Sequence, residues 1–108
     1  MIRLMYFSTA ASYVSKAELD ALCDSSASKN ASRSLTGMLA FNGRNFCQII
    51  EGEENDVDDL IEVIRADSRH AGFKVLARKP ISERYFDGWS LRRVDSLDFS
   101  EAFGAMDA

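Results

Sequence analysis

Two polar side chains set inside apolar runs are where this chain could do chemistry. Gln48 interrupts Phe46-Cys47-Gln48-Ile49-Ile50, directly before Glu51-Gly52, and Tyr6 sits within Ile2-Arg3-Leu4-Met5-Tyr6-Phe7. A buried amide left without partners costs roughly 1–3 kcal/mol, so such a group is normally matched by protein, water or ligand. If the two lie on neighbouring strands and point the same way, they form a small polar island in an apolar face. That arrangement suits a planar ligand carrying ring nitrogens and carbonyls. Taken singly, Tyr6 also reads as a core tyrosine with its hydroxyl tied to a carbonyl, and Gln48 as a bridge between two backbones.

The elements that must position them follow from local pattern. Ile2 to Ser8 alternates and is rich in large side chains, so it reads as a strand. Ser15 and Glu18 fit a capping box ahead of Leu19, Leu22, Cys23 and Ser26, which predicts an amphipathic helix to about Lys29. Leu35 to Phe41 and Arg44 to Ile50 read as strands joined at Asn42-Gly43, the strongest short hairpin signal. Asn55 or Asp56 is the expected cap of a second helix with the buried stripe Val57, Leu60, Ile61 and Ile64. Phe73 to Ala77 is a fourth strand, Ser82 to Phe86 fits one helical turn, and Trp89 to Val94 is a fifth strand. The tail from Asp95 to Ala108 is expected to be a short helix or a frayed end. The order β-α-β-β-α-β plus a strand is α+β and ferredoxin-like, with two helices packed on one face of a mixed sheet. In that arrangement we expect the first and third strands to be the central, adjacent, parallel pair. Tyr6 and Gln48 then share a face with Leu4, Phe46 and Ile50.

At 108 residues the chain reads as one domain, and its 46% apolar content fits a globular protein with a core of its own. Net charge is −4 and no basic cluster is long enough to track phosphates, which argues against nucleic acid and anionic membrane as partners. No apolar run approaches the roughly 20 residues of a membrane span, and the N-terminus reads directly into a strand. Cys23, Cys47 and the single histidine, His70, show no metal-ligand spacing, so we expect no metal and a reduced, cytoplasmic setting.

Five segments together resemble the BLUF domains, the blue-light sensors using flavin, across residues 2 to 94. They are Leu4-Met5-Tyr6-Phe7-Ser8; Asn30 ahead of Leu35-Thr36-Gly37; Phe46-Cys47-Gln48-Ile49-Ile50-Glu51-Gly52; Asp67-Ser68-Arg69-His70; and Arg84-Tyr85-Phe86-Asp87-Gly88-Trp89-Ser90-Leu91. The resemblance implies a photosensor domain over 1–94 with a short tail over 95–108. It implies non-covalent FAD and no enzymatic turnover. In such a domain Tyr6 gives an electron, then a proton, to the photoexcited flavin, and the Gln48 amide links Tyr6 to the ring. Asn30 would meet the polar edge of the ring, while Leu22 and Ile64 would clamp its faces, with Ser26 and Ile61 beside them on the helix faces. Arg65, Asp67, Arg69 and His70 would lie at the pocket mouth, near the ribityl chain and phosphate. Trp89 and position 91 would relay the change. Many relatives have two consecutive asparagines where this chain has Lys29-Asn30, and a methionine where it has Leu91. The first puts one ring contact in question, the second the strength of output, since leucine lacks the weak sulfur acceptor.

Each group has a plainer reading: Asn30 as a helix C-cap, the 65–70 charges as a solvated helix end, the helix-face residues as core. Cys47 beside Gln48 suggests a cysteinyl adduct, but alternation turns it to the opposite face. Signal output is expected to pass to a downstream protein or through self-association, by way of Leu97, Phe99, Phe103 or the flavin-distal sheet face. A flavin-free interaction module on the same scaffold is the alternative. An acylphosphatase-like hydrolase is disfavoured, because Ser8-Thr9-Ala10-Ala11-Ser12 has neither glycines nor an arginine to cradle phosphate.

Overall fold

The computed structural model describes residues 1–12, 15, 17–21, 24, 34–93 and 100–107, with the backbone alone at 89–93 and 100–102. Its strands are β1 (Ile2–Ala10), β2 (Thr36–Phe41), β3 (Asn45–Gly52), β4 (His70–Pro80) and β5 (Trp89–Arg93), and its helices α1 (Glu54–Ala66) and α2 (Ser100–Asp107). Residues 17–21 are helical as well, and the Ser15 Oγ accepts from the Glu18 N–H at 3.1 Å, as a capping box requires.

The sheet order is β4-β1-β3-β2-β5. The hairpin forms where Asn-Gly is expected. Asn42 Oδ1 accepts from the Arg44 and Asn45 N–H groups at 3.1 and 2.8 Å, and Gly43 takes φ +98°, open to glycine. β1 and β3 are the central neighbours, but they run antiparallel, correcting the expected parallel pairing. The connection from β1 lays β2 parallel to β1, and the tight turn then reverses β3. The parallel pair of the mixed sheet is instead β2 with β5.

Three further boundaries differ from the sequence reading. α1 begins at Glu54, ahead of the expected Asn55 or Asp56 cap; Val57 N–H already bonds the Glu53 carbonyl at 3.0 Å, and Glu54 and Asp56 suit the positive helix end. β4 runs from His70 to Pro80, well beyond Phe73 to Ala77, because β1 offers a partner along that whole length and Gly72 absorbs a bend at φ +58°. Residues 82–86 form no helical turn, since the Tyr85 and Phe86 N–H groups bond the Glu51 side chain instead.

Alternation then sorts the core onto two faces. Ile2, Leu4, Tyr6 and Ile50 pack under α1 against Val57 and Ile61, with Leu60 and Ile64 half-buried beside them. Leu19 packs against Leu39, Phe41 and Phe46 farther along the same face. On the other face Met5, Met38, Ala40, Cys47 and Ile49 are covered by Ala105 and Met106 of α2. Among the described residues no helix is long and apolar enough to cross a membrane.

Candidate functional site

Tyr6 and Gln48 are direct cross-strand partners in the β1–β3 ladder, so their side chains rise from the same face at the shortest separation a sheet provides. Tyr6 Oη donates a hydrogen bond to Gln48 Oε1. Tyr6 is 1% exposed and Gln48 5%. Burial holds the phenol well above its usual range, with smaller contributions from Cys47 and Asp67, so the proton stays on at any physiological pH.

Gln48 stands between the two apolar clusters: its ladder partners are Tyr6, beneath α1, and Leu39, beneath residues 17–21. Its carbonyl oxygen is used by Tyr6, while its amide nitrogen has no partner among the described residues. An amide N–H₂ buried in an apolar face without an acceptor is costly, and an acceptor supplied by a ligand relieves that cost. The donor set therefore fits the polar edge of a flavin ring, which presents nitrogen and carbonyl acceptors.

The surroundings of the pair are aromatic and partly charged. Phe73 of β4 stacks on Tyr6 with ring centroids 4.7 Å apart. His70 meets Tyr6 edge-on at 6.1 Å and lies 4.9 Å from Phe46, and its Nδ1 shares a 2.6 Å hydrogen bond with the buried Ser8 Oγ. Burial lowers the His70 pKa, against a raising influence from Asp67. Arg65 lies over the Phe73 ring at 5.2 Å. Arg69 Nε donates to Asp67 at 2.9 Å, and that contact holds the Asp67 carboxyl down to about 2.

The structure thus brings Tyr6, Gln48, Ile64, Arg65, Asp67, Arg69 and His70 to one face or its rim. Leu22, Ser26 and Asn30 lie outside the described residues. Trp89 and Leu91 are described as backbone, and register puts position 91 two strands from Gln48, in the row Tyr6–Gln48–Leu39–Leu91. Cys47 belongs to the opposite-face cluster, and burial pushes its thiol up to about 11. Sequence reasoning did not single out Ser8 or Phe73 as neighbours of the pair. Ser8 was legible from its even spacing with Tyr6; Phe73 was not, because its place depends on β4 pairing around a bend.

A buried phenol–amide couple, whose amide nitrogen is open among the described residues, thus lies on an α+β sheet under a helix. The family model for BLUF, "Sensors of blue-light using FAD", matches residues 1–92, and the chain belongs to that family. The chain is 33% identical over 100 residues to the photoactivated adenylate cyclase subunit alpha of Euglena gracilis, a match that covers 88% of this chain and 10% of that one. It superposes on the dark-state structure of the BLUF protein BlrB with TM-score 0.81 at 28% identity, covering 97% of this chain and 90% of that one. Klebsiella pneumoniae BlrP1 with FMN and cyclic diGMP gives TM-score 0.78 at 33% identity over 97% of this chain and 29% of that one. The BLUF domain is a flavin-using sensor module and is not itself catalytic. The chain spans about a tenth of the length of the curated cyclases it matches.

Proposed function

We propose that this chain is a blue-light photoreceptor domain, residues 1–94, that holds one FAD non-covalently over the Tyr6–Gln48 face. The observation that carries this reading is the Tyr6–Gln48 hydrogen bond at directly paired positions, with the Gln48 amide nitrogen unclaimed among the described residues. Gln48 and Asn30 would meet the polar edge of the ring, and Leu22, Ser26 and Ile64 its faces. Arg65, Arg69 and His70, with Asp67 orienting Arg69, would serve the ribityl and phosphate end. FAD follows the family description; BlrP1 holding FMN is a property of that protein.

A bound flavin supplies the absorption of blue light and an excited state that accepts an electron. Tyr6 gives up that electron and then its Oη proton, and takes both back, so nothing is consumed. Its proton is available for this because a phenol, with an ordinary pKa of about 10, is un-ionised in the dark, and burial reinforces that state. Gln48 is the group that does not return to its starting arrangement. An amide carries donors and an acceptor that exchange places by rotation or tautomerisation, so its bonds to Tyr6 and to the ring can be redistributed. A stronger bond to the ring carbonyl lowers the excitation energy and gives a red-shifted signalling state. Output would then run through Trp89 and Leu91 to a downstream protein, or to a second copy of the chain, in a cytoplasmic setting.

The test is an absorption spectrum of the purified protein before and after a blue flash. A flavin spectrum that moves red by several nanometres and recovers supports the photoreceptor. A protein that remains colourless with added FAD would leave the flavin-free interaction module. A bleached band in place of a shifted one would point to adduct chemistry.

A further inference from the structure

Glu51 is a carboxylate with no exposed surface, three residues beyond Gln48 on β3 and on the opposite face of the sheet. Its two oxygens accept four hydrogen bonds. Oε1 takes Thr36 Oγ1 and the Phe86 N–H, both at 3.0 Å; Oε2 takes Arg3 Nε at 2.9 Å and the Tyr85 N–H at 2.8 Å. Arg84 Nη1 reinforces the junction by donating to Thr36 Oγ1 at 2.8 Å and to the Glu51 carbonyl at 3.2 Å. Immediately beyond, the Gly37 N–H bonds the Gly88 carbonyl at 3.0 Å, and β5 begins with Trp89 opposite Gly37. One side chain therefore ties β1, β2 and β3 to the segment that leads into β5.

A solvated loop satisfies its amides with water; here two successive amides are spent on a buried charge. Bonds to a charged acceptor are about twice as strong as neutral ones and fix the donors closely. The strand that carries Gln48 and the strand that carries positions 89 and 91 are thus coupled at one carboxylate, besides the β2 ladder between them.

We propose that Glu51 is the positioning residue that fixes the 84–88 segment, and with it the register of β5 on β2, to the strand bearing Gln48. A rearrangement at Gln48 then reaches β5 through the Glu51 carboxylate. The inference rests on the photoreceptor reading.

Glu51→Gln tests it with little change of shape. Either orientation of the new amide turns its N–H₂ toward the Tyr85 N–H or the Phe86 N–H, so one anchor bond is lost while the Tyr6–Gln48 face is untouched. The full chain with bound FAD is followed by backbone hydrogen exchange of 85–93 in the dark and under steady blue light, with the absorption shift recorded on the same sample. We expect Glu51→Gln to keep flavin and red shift and to exchange roughly tenfold faster at 85–86 in the dark. The light-minus-dark difference over 85–93, present in the native chain, should vanish. A purely structural anchor would raise exchange in both states and leave that difference intact, which would overturn the proposal. So would a native chain that shifts red without any light-dependent exchange there. If Glu51→Gln does not fold, Glu51→Asp shortens the side chain and draws both oxygens back from the Tyr85 and Phe86 N–H groups, and an undiminished difference in that variant overturns the proposal equally. A native chain that takes up no flavin, or shows no red shift, sinks the photoreceptor reading instead; slow dark exchange at 85–86 then still reports the anchor.

Discussion

Of the buried polar side chains described, Arg3, Ser8 and Glu51 bond to protein partners, whereas the Gln48 amide nitrogen has none among the described residues. That imbalance predicts how the two members of the couple respond to substitution. Gln48→Leu removes one unmet donor and strands another, the Tyr6 hydroxyl, so the flavin-free protein loses only the worth of the hydrogen bond between them, about 1 kcal/mol. The loaded protein should keep its flavin and lose the red shift; a persisting shift would rule out the role given to Gln48. His70 makes a separate prediction. Its pKa is depressed in the fold by burial, so the unfolded chain binds the extra proton first as pH falls. The stability this contributes is complete above about 6.5, the unfolded value, and is lost as pH falls through the folded value. Urea midpoints at pH 7.5 and 5 should therefore diverge for the native chain and converge for His70→Gln.

At the scale of elements, α1 starts without a side-chain cap, because Glu53 at the N-cap position makes no such bond. Glu53→Ser places a short hydroxyl within reach of the first free N–H groups and should add about 1 kcal/mol, or roughly 4–8 °C in Tm for a domain of this size. Thermal unfolding followed by circular dichroism reads this directly. The same scale shows what the sequence could tell. Asn42-Gly43, the Val57–Ile61 stripe and the alternation of β1 and β3 were legible because each is a local pattern with one structural solution. The direction of β3 against β1 depends on the crossover from β1 as well as on the Asn42-Gly43 turn, and only the turn is a local pattern. The 82–86 segment was out of reach in principle: its amides bond a carboxylate more than thirty residues earlier, and no local pattern announces that. The candidate site followed the same rule, with Tyr6 and Gln48 visible as polar breaks in apolar runs. The stacking of Phe73 on Tyr6 waited on the pairing of β4.

The molecule as a whole is a two-sided sheet, with its photochemical candidates on the face under α1 and a separate apolar cluster under α2. The α2 contact explains how a strand with hydrophobic residues at both parities, such as Phe46-Cys47-Gln48-Ile49-Ile50, remains buried throughout. It also divides the energetics. Met106 is buried against Met5, Met38, Cys47 and Ile49, so Met106→Ala should cost about 2–5 kcal/mol through lost transfer and a residual cavity. Because Met106 and Gln48 share no partner and the sheet lies between them, the cost should add to that of Gln48→Leu within about 0.5 kcal/mol. Met106→Ala alone should leave the flavin absorption maximum and the light-driven shift where they were. Urea unfolding of the two single variants and the double variant closes the cycle. A coupling well above that margin would mean that the α2 face senses the state of Gln48 directly, through β3, and that the tail belongs to the output path.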